Sequence, residues 1–369
     1  MKKDIIKYLV LSDIHLGHTG NKTEEIVNNL NTFFNIYYKE LKDIDILFIS
    51  GDVFDRLVST RSMEYRLIVS WLSNLLLWCK DRNVKLRILY GTPGHDNDQV
   101  AGFTDIANKL APTCDFKYVS NIWIEKMDDL GITVLYIPDE VHPDSEDTWN
   151  DVKNLMKEEM VSEVDISIMH GCFNYQLPIK DLKFMHKESN YLDITKYYIN
   201  IGHIHTSSCY ERILAPGSFD RLTHGEEENK GGLLCKIYKD GNMNFKFLIN
   251  KNSKIFKTLD YTGKNESYVL KDLDKELKKY PPNSFIRLLV DDDNTLIKSL
   301  KSICNKYPVL NIKIKVNNEV NESIKKITKV EMKTFEITKD NIKELMLKEM
   351  NISGKELEIF NTELEEAIS

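Results

Sequence analysis

The chain has 369 residues, 42% hydrophobic and 29% charged, which suits a globular protein with room for two or three domains. The opening MKKDIIKYLVLSD holds an apolar run too short for a secretory signal, and no later stretch reaches bilayer-spanning length, so no membrane association and a cytoplasmic location are expected. A net charge of −7 does not advertise nucleic-acid binding, but the charge is uneven: residues 301–330 carry seven lysines against two glutamates, and residues 344–369 seven glutamates against two lysines. Six cysteines (Cys79, Cys114, Cys172, Cys209, Cys235, Cys304) stand singly without a CxxC, which points to a reducing compartment and away from disulfides and structural zinc.

In chain order, short apolar runs stop abruptly on polar or glycine residues. YLVL precedes Ser12-Asp13, ILFIS precedes Gly51-Asp52, LRILY precedes Gly91, ISIM precedes His170, and YYINI precedes Gly202-His203. Amphipathic segments of helical length, residues 23–41 and 62–80, lie between the first three. Strands alternating with helices predict an α/β architecture, in which functional groups gather just past the carboxyl ends of strands. After about residue 248 the pattern changes. FIRLLV (285–290), a helical segment near 295–306 and LNIKIKV (310–316) read as strand–helix–strand, a smaller second domain. From about 330 the chain reads as helical and acidic. There Ser353 and Glu356 form a capping box, and Leu357, Phe360, Leu364 and Ala367 make one stripe, with Ile342, Leu345, Met346 and Met350 another.

Five segments carry chemistry: Asp13-Ile14-His15, Gly51-Asp52-Val53-Phe54-Asp55, Gly91-Thr92-Pro93-Gly94-His95-Asp96, His170-Gly171 and Gly202-His203-Ile204-His205. Five of the nine histidines fall within them. Any one alone reads more simply as a surface or core histidine; in this order, each after a strand, they form a set. Carboxylates and imidazoles without cysteine suit Mn²⁺, Fe²⁺ or Zn²⁺ rather than a closed structural zinc site. In DxH and HxH, alternate side chains of extended backbone project from one face toward the same point. A shared carboxylate such as Asp52 can bridge two cations about 3.5–4 Å apart, and such a pair neutralises phosphate charge and activates water. Metal-assisted phosphoester hydrolysis is the reaction class these residues support.

The set resembles the calcineurin-like metallophosphoesterase superfamily. APGSFDRLTHGEEENKGG (215–232) is similar to the segment following GHxH in the SbcD nucleases, prokaryotic relatives of the meiotic-recombination-eleven nuclease. Motifs and segment span roughly the first two-thirds of the chain. The resemblance implies a sandwich of two mixed β-sheets flanked by helices at 1–250, a DNA-positioning α/β cap at 251–330 and a helical tail at 331–369. It implies two Mn²⁺ ions per chain, with Mg²⁺, Fe²⁺ or Zn²⁺ as alternatives. Asp13, His15, Asp52 and His205 would hold one, and Asp52, His170 and His203 the other. His95 would serve the departing 3′ oxygen, oriented by Asp96, and Asp55 would either order ligands or cap the following helix. The family writes the third motif GNHD, whose Asn is a ligand. Here either Gly94 stands at that place, or Pro93-Gly94 is inserted and the Thr92 hydroxyl or a backbone carbonyl supplies the oxygen.

The activity implied is a 3′→5′ exonuclease and single-strand endonuclease on DNA. The tail would dock on an SbcC-type coiled-coil ATPase or else pack on its own cap, and segments 62–80 and 101–110 would supply a homodimer contact or simply core. A phosphatase or small-molecule phosphodiesterase of the same superfamily is the enzymatic rival, and a non-catalytic scaffold the third reading.

Overall fold

The computed structural model describes residues 4–139, 141–179, 182–291 and 296–316. The tail expected at 331–369, and the end of the cap expected at 317–330, lie outside them. In chain order the strands of the larger part are β1 (Ile5–Leu11), β2 (Ile46–Ser50), β3 (Lys85–Leu89), β4 (Phe116–Val119), β5 (Trp123–Met127) and β6 (Ile132–Ile137). There follow β7 (Ile166–His170), β8 (Ile199–Gly202), β9 (Ser208–Tyr210), β10 (Ile213–Ala215), β11 (Gly231–Tyr238) and β12 (Met243–Ile249).

These strands form two six-stranded sheets, ordered β12-β11-β1-β2-β3-β4 and β5-β6-β7-β8-β10-β9. Both are mixed: β1 to β4 run parallel, with β11 antiparallel on β1, while β6, β7, β8 and β10 run parallel, with β5 and β9 antiparallel at the edges. The expected two-sheet α/β sandwich is the fold observed.

Why the strands read as continuous apolar runs follows from burial on both faces. Side chains alternate across a strand. Along β1, Leu9 and Leu11 enter the core shared with the helices, while Tyr8 and Val10 enter the core between the sheets. In β2 Leu47 and Ile49 face the first and Ile46 and Phe48 the second. On the far sheet, Val134 and Tyr136 of β6 point inward, and Leu135 and Ile137 outward to a third core.

Helices α1 (Thr23–Ile36), α2 (Tyr38–Leu41), α3 (Met63–Arg82), α4 (Pro93–Asp96) and α5 (Gly102–Leu110) belong to the first half. The single helix expected over 23–41 is broken at Tyr37, whose hydroxyl exchanges hydrogen bonds with the Ile249 backbone. Ser62 caps α3, its Oγ accepting from Tyr65 N at 3.0 Å, and Asn83 ends it in left-handed conformation. Ile68, Trp71, Leu72, Leu75, Leu76 and Cys79 of α3, with Phe103 and Ala107 of α5, are buried in the first core. Helices α6 (Ser145–Glu158) and α7 (Glu188–Ile194) cover the second sheet through Val152, Met156 and Tyr191.

A charged pair is buried between the sheets. Arg87 of β3, 2% exposed, donates to both oxygens of Glu125 on β5 at 2.8 Å and to Asp115 Oδ1 at 2.8 Å, and Tyr136 Oη also donates to Glu125. Paired in this way, the guanidinium leaves no uncompensated charge in the sandwich.

The third sheet is parallel and ordered β13-β14-β15, from Phe256–Asp260, Phe285–Val290 and Asn311–Val316. With α8 (Glu266–Leu277) and α9 (Leu296–Lys306) it has its own apolar core, including Val269, Leu273, Ile286, Leu288 and Ile303. Among the described residues no helix is long and apolar enough to cross a membrane.

Candidate metal centre

The loops leaving β1 and β2 run side by side. Asp13 N donates to Gly51 O, Ile14 N and His15 N both donate to Asp52 O, and Leu16 N donates to Val53 O. That pairing puts Asp13, His15 and Asp52 at one place. All three take positive φ (49°, 53° and 50°), as does His203 (93°). Left-handed backbone at a non-glycine residue costs on the order of 1 kcal/mol or more and persists where the surroundings enforce it, commonly at functional sites. Close approach requires glycine at two neighbours: a Cβ on Gly51 would lie 2.1 Å from His170 Nδ1, and one on Gly91 2.2 Å from Asp52 N.

Three groups of side chains present atoms close enough to hold metal ions: Asp13, His15 and His205; His15, Asp52 and His95; Asp52, His170 and His203. His15 Nε2 faces His205 Nε2 at 3.0 Å and Asp52 Oδ2 at 3.7 Å. On the other side His170 Nε2 lies 3.4 Å from Asp52 Oδ1. Asp52 belongs to two groups and His15 to two, so the groups form one continuous centre. The donor set fits divalent cations: ring nitrogens and carboxylate oxygens converge, and no cysteine joins them among the described residues.

Three of the imidazoles have a polar group behind them. His170 Nδ1 is 2.6 Å from Ser50 O, which leaves Nε2 turned to the centre. His15 Nδ1 lies 3.1 Å from Asp55 Oδ1, and His205 Nδ1 3.3 Å from Glu226 Oε1. Asp55 therefore stands behind His15, and the helix that follows is capped by Ser62 and not by Asp55. His203 N donates to both oxygens of Asp13 at 3.0 and 3.1 Å, tying β8 to β1.

The segment 215–232 proves to be the support of His205. Glu226 accepts from Ser218 Oγ, Thr223 Oγ1 and Leu222 N, and pairs with Lys230, which is 1% exposed. Lys230 Nζ in turn donates to His205 O at 2.8 Å. Phe219 N reaches the Ser12 and Asp13 carbonyls.

Mutual charge shifts the protonation of the centre. Burial alone would raise the Asp52 carboxyl, but His170, His15 and the Thr92 N–H hold it well below the carboxylate range. Burial disfavours a charged His170, and Asp52 and Asp13 overcome that and raise it. His203 is lowered, by burial and then by His170. His205 is raised: burial opposes its cation, but Glu226 and Asp13 favour it. Protons and cations thus compete for the same carboxylate field.

The GTPGHD stretch resolves as a tight turn into α4, with Thr92 in the N-cap position. Thr92 Oγ1 lies 3.3 Å from Asp52 Oδ2, 3.5 Å from His170 Nε2 and 3.3 Å from His203 Nδ1. Gly94 has open space where its Cβ would be, and its carbonyl accepts from Asn97 Nδ2. Of the two alignments, Thr92 and not Gly94 sits among the candidate ligands. The expected orientation of His95 by Asp96 is corrected. Asp96, fully buried, accepts from Phe54 N at 3.0 Å and Gly91 N at 2.8 Å, and burial followed by Asp52 pushes its carboxyl up to about 6. It pins the turn; His95 is held instead by its Nδ1, 2.6 Å from Asp55 O, with its ring edge-on to His15 at 5.0 Å.

Asp139 was not foreseen. It follows β6 in Ile137-Pro138-Asp139, and its Oδ2 lies 3.1 Å from Thr92 Oγ1 and 3.6 Å from His203 Nδ1. A carboxylate two residues past an apolar strand was the available signal, the same one that flagged Asp13 and Asp52. Beside it opens a cavity of about 510 Å³ lined by Asp139, His142, Gly171, Phe184, His186 and His203.

No family model and no curated protein matches this chain. Among solved structures, one crystal structure aligns over 66% of this chain and 99% of its own length at 11% identity, with a TM-score of 0.41. The crystal structure of TT1561 of Thermus thermophilus aligns over 66% and 99% at 10% identity, with a TM-score of 0.37. Similarity that low assigns neither family nor activity.

Proposed function

We propose that the chain is a divalent-cation-dependent phosphodiesterase, a DNA nuclease of the SbcD type. The observation that carries the reading is the sharing of Asp52 and His15 among three convergent His/Asp groups at the strand tips of both sheets. Two cations there, Mn²⁺ foremost, would neutralise phosphate charge and bring water toward its nucleophilic form. Asp13, His15 and His205 would hold one, His170 and His203 the other, with Asp52 between.

The remaining tasks fall to groups of this chain. His95, held through Nδ1 and grouped with His15 and Asp52, would donate a proton to the departing 3′ oxygen. Asp55 and Glu226 keep His15 and His205 from turning away. The cavity beside Asp139 and His203 has the volume of a small-molecule site and would take the terminal nucleotide. DNA as substrate rests on the resemblance of residues 215–232, as do the homodimer and the docking of residues 331–369 on an SbcC-type ATPase.

Purified protein with Mn²⁺ should release mononucleotides from end-labelled duplex DNA. Cleavage of p-nitrophenyl phosphate esters alone would move the assignment to a phosphatase or small-molecule phosphodiesterase.

A further inference from the structure

Thr92 Oγ1 has four polar neighbours at nearly one distance: Asp139 Oδ2 at 3.1 Å, Asp52 Oδ2 and His203 Nδ1 at 3.3 Å, and His170 Nε2 at 3.5 Å. The four come from the tips of β2, β6, β7 and β8, and Thr92 from the tip of β3. Two of the neighbours are carboxylate oxygens, which only accept, while a hydroxyl owns one proton. One carboxylate oxygen therefore faces a hydroxyl lone pair, and in the neutral ligand form His170 Nε2, with Nδ1 turned to Ser50 O, adds another. With His170 in that neutral form, hydrogen bonding within the protein leaves this cluster of acceptors short of a donor.

The spacing says what would satisfy it. Ligand atoms about 2.1 Å from a cation in an octahedron lie about 3.0 Å from each cis neighbour, and each vertex has four such neighbours. Thr92 Oγ1 has four polar neighbours at 3.1–3.5 Å, slightly wider than that spacing. Among these neighbours His203 Nδ1 stands 3.6 Å from Asp139 Oδ2, while His170 Nε2 stands 3.4 Å from Oδ1, the other oxygen of Asp52. We propose that Asp139 and the Thr92 hydroxyl are ligands of the cation held by Asp52, His170 and His203, and that together they replace the neutral amide which GNHD sequences provide. The inference rests on the two-cation reading above. An anionic ligand here makes this site one charge more negative than an amide would, and places that charge at the mouth of the neighbouring cavity.

The test is titration of metal-free full-length protein with Mn²⁺ alone, followed by calorimetry and by the electron paramagnetic resonance of free Mn²⁺. Wild type should take up two ions. Asp139→Ala should lose one, or weaken it at least tenfold, with the other unchanged; Thr92→Val, which keeps the backbone bond to Asp52, should weaken the same ion. Asp139→Cys should exchange Mn²⁺ for Cd²⁺ at that position, with a thiolate charge-transfer band above the wild-type baseline, which a residue that only orients His203 would not produce. Two ions at wild-type affinity in both Asp139→Ala and Thr92→Val, or no new Cd²⁺ band, would overturn the assignment. No uptake by wild type would instead sink the two-cation reading itself. Circular dichroism melting identifies a variant that has lost its fold, in which case Thr92→Val and Asp139→Cys decide.

Discussion

Gly91→Ala is the most exacting test of Asp52 as the pivot of the centre. A methyl at position 91 would stand 2.2 Å from Asp52 N and 2.3 Å from Asp52 Oδ1, whereas real Cβ atoms essentially never approach within 3.0 Å. Relieving the first contact therefore moves Asp52 or the turn by roughly 0.8 Å. The turn has little freedom to yield, since Gly91 N and Phe54 N are both fixed to Asp96 and Thr92 N donates to Asp52 Oδ1 at 2.6 Å. Displacement on the order of 1 Å in a reacting centre costs about 100-fold in rate, or about 2.7 kcal/mol. Turnover of bis(p-nitrophenyl) phosphate with Mn²⁺ should fall by that amount, and calorimetric Mn²⁺ affinity should fall with it. Gly94→Ala is the control: nothing lies within 4 Å of its added methyl, so activity should stay near wild type. Wild-type turnover and Mn²⁺ affinity in Gly91→Ala, with the melting temperature unchanged, would refute the central role of Asp52.

Other consequences are open to direct measurement. His95→Ala should abolish hydrolysis while bound Mn²⁺, measured by elemental analysis, stays near normal; because His95 groups with His15 and Asp52, loss of metal as well would make it a ligand rather than a proton donor. Arg87→Met leaves Glu125 buried without its main partner and should cost about 3–5 kcal/mol in urea unfolding; a loss under 1 kcal/mol would show the pair is dispensable. Burial brings His186 down to about 4, below its unfolded 6.5, so the unfolded chain takes up the proton first. Its contribution is whole above pH 6.5 and lost as pH falls toward 4, at most about 3 kcal/mol. His186→Phe should flatten that part of the urea midpoint–pH curve, and an unaltered slope would exclude His186 as its source.

Much of this was legible in the sequence because strand ends are local events. Apolar runs buried on both faces announce themselves, and a His or Asp just past one is a short-range signal, which is how Asp13, Asp52, His170 and His203 were found. The break at Tyr37 was not legible, since the contact its side chain makes there is with Ile249, more than two hundred residues on. Nor was the backing of His205 by Glu226 and Lys230, although the segment containing them stood out as a pattern.

The sequence by itself determined that strands would present imidazoles and carboxylates at their carboxyl ends, because periodicity and chain breaks are written residue by residue; their division into two sheets was implied only by the resemblance. Only the tertiary structure decided between Thr92 and Gly94, gave the orientation of His95 to the Asp55 carbonyl instead of Asp96, and drew in Asp139. Those choices turn on distances of 3 to 4 Å between side chains from different strands. Such distances are set by the register and packing of the two sheets, which no local run of residues encodes.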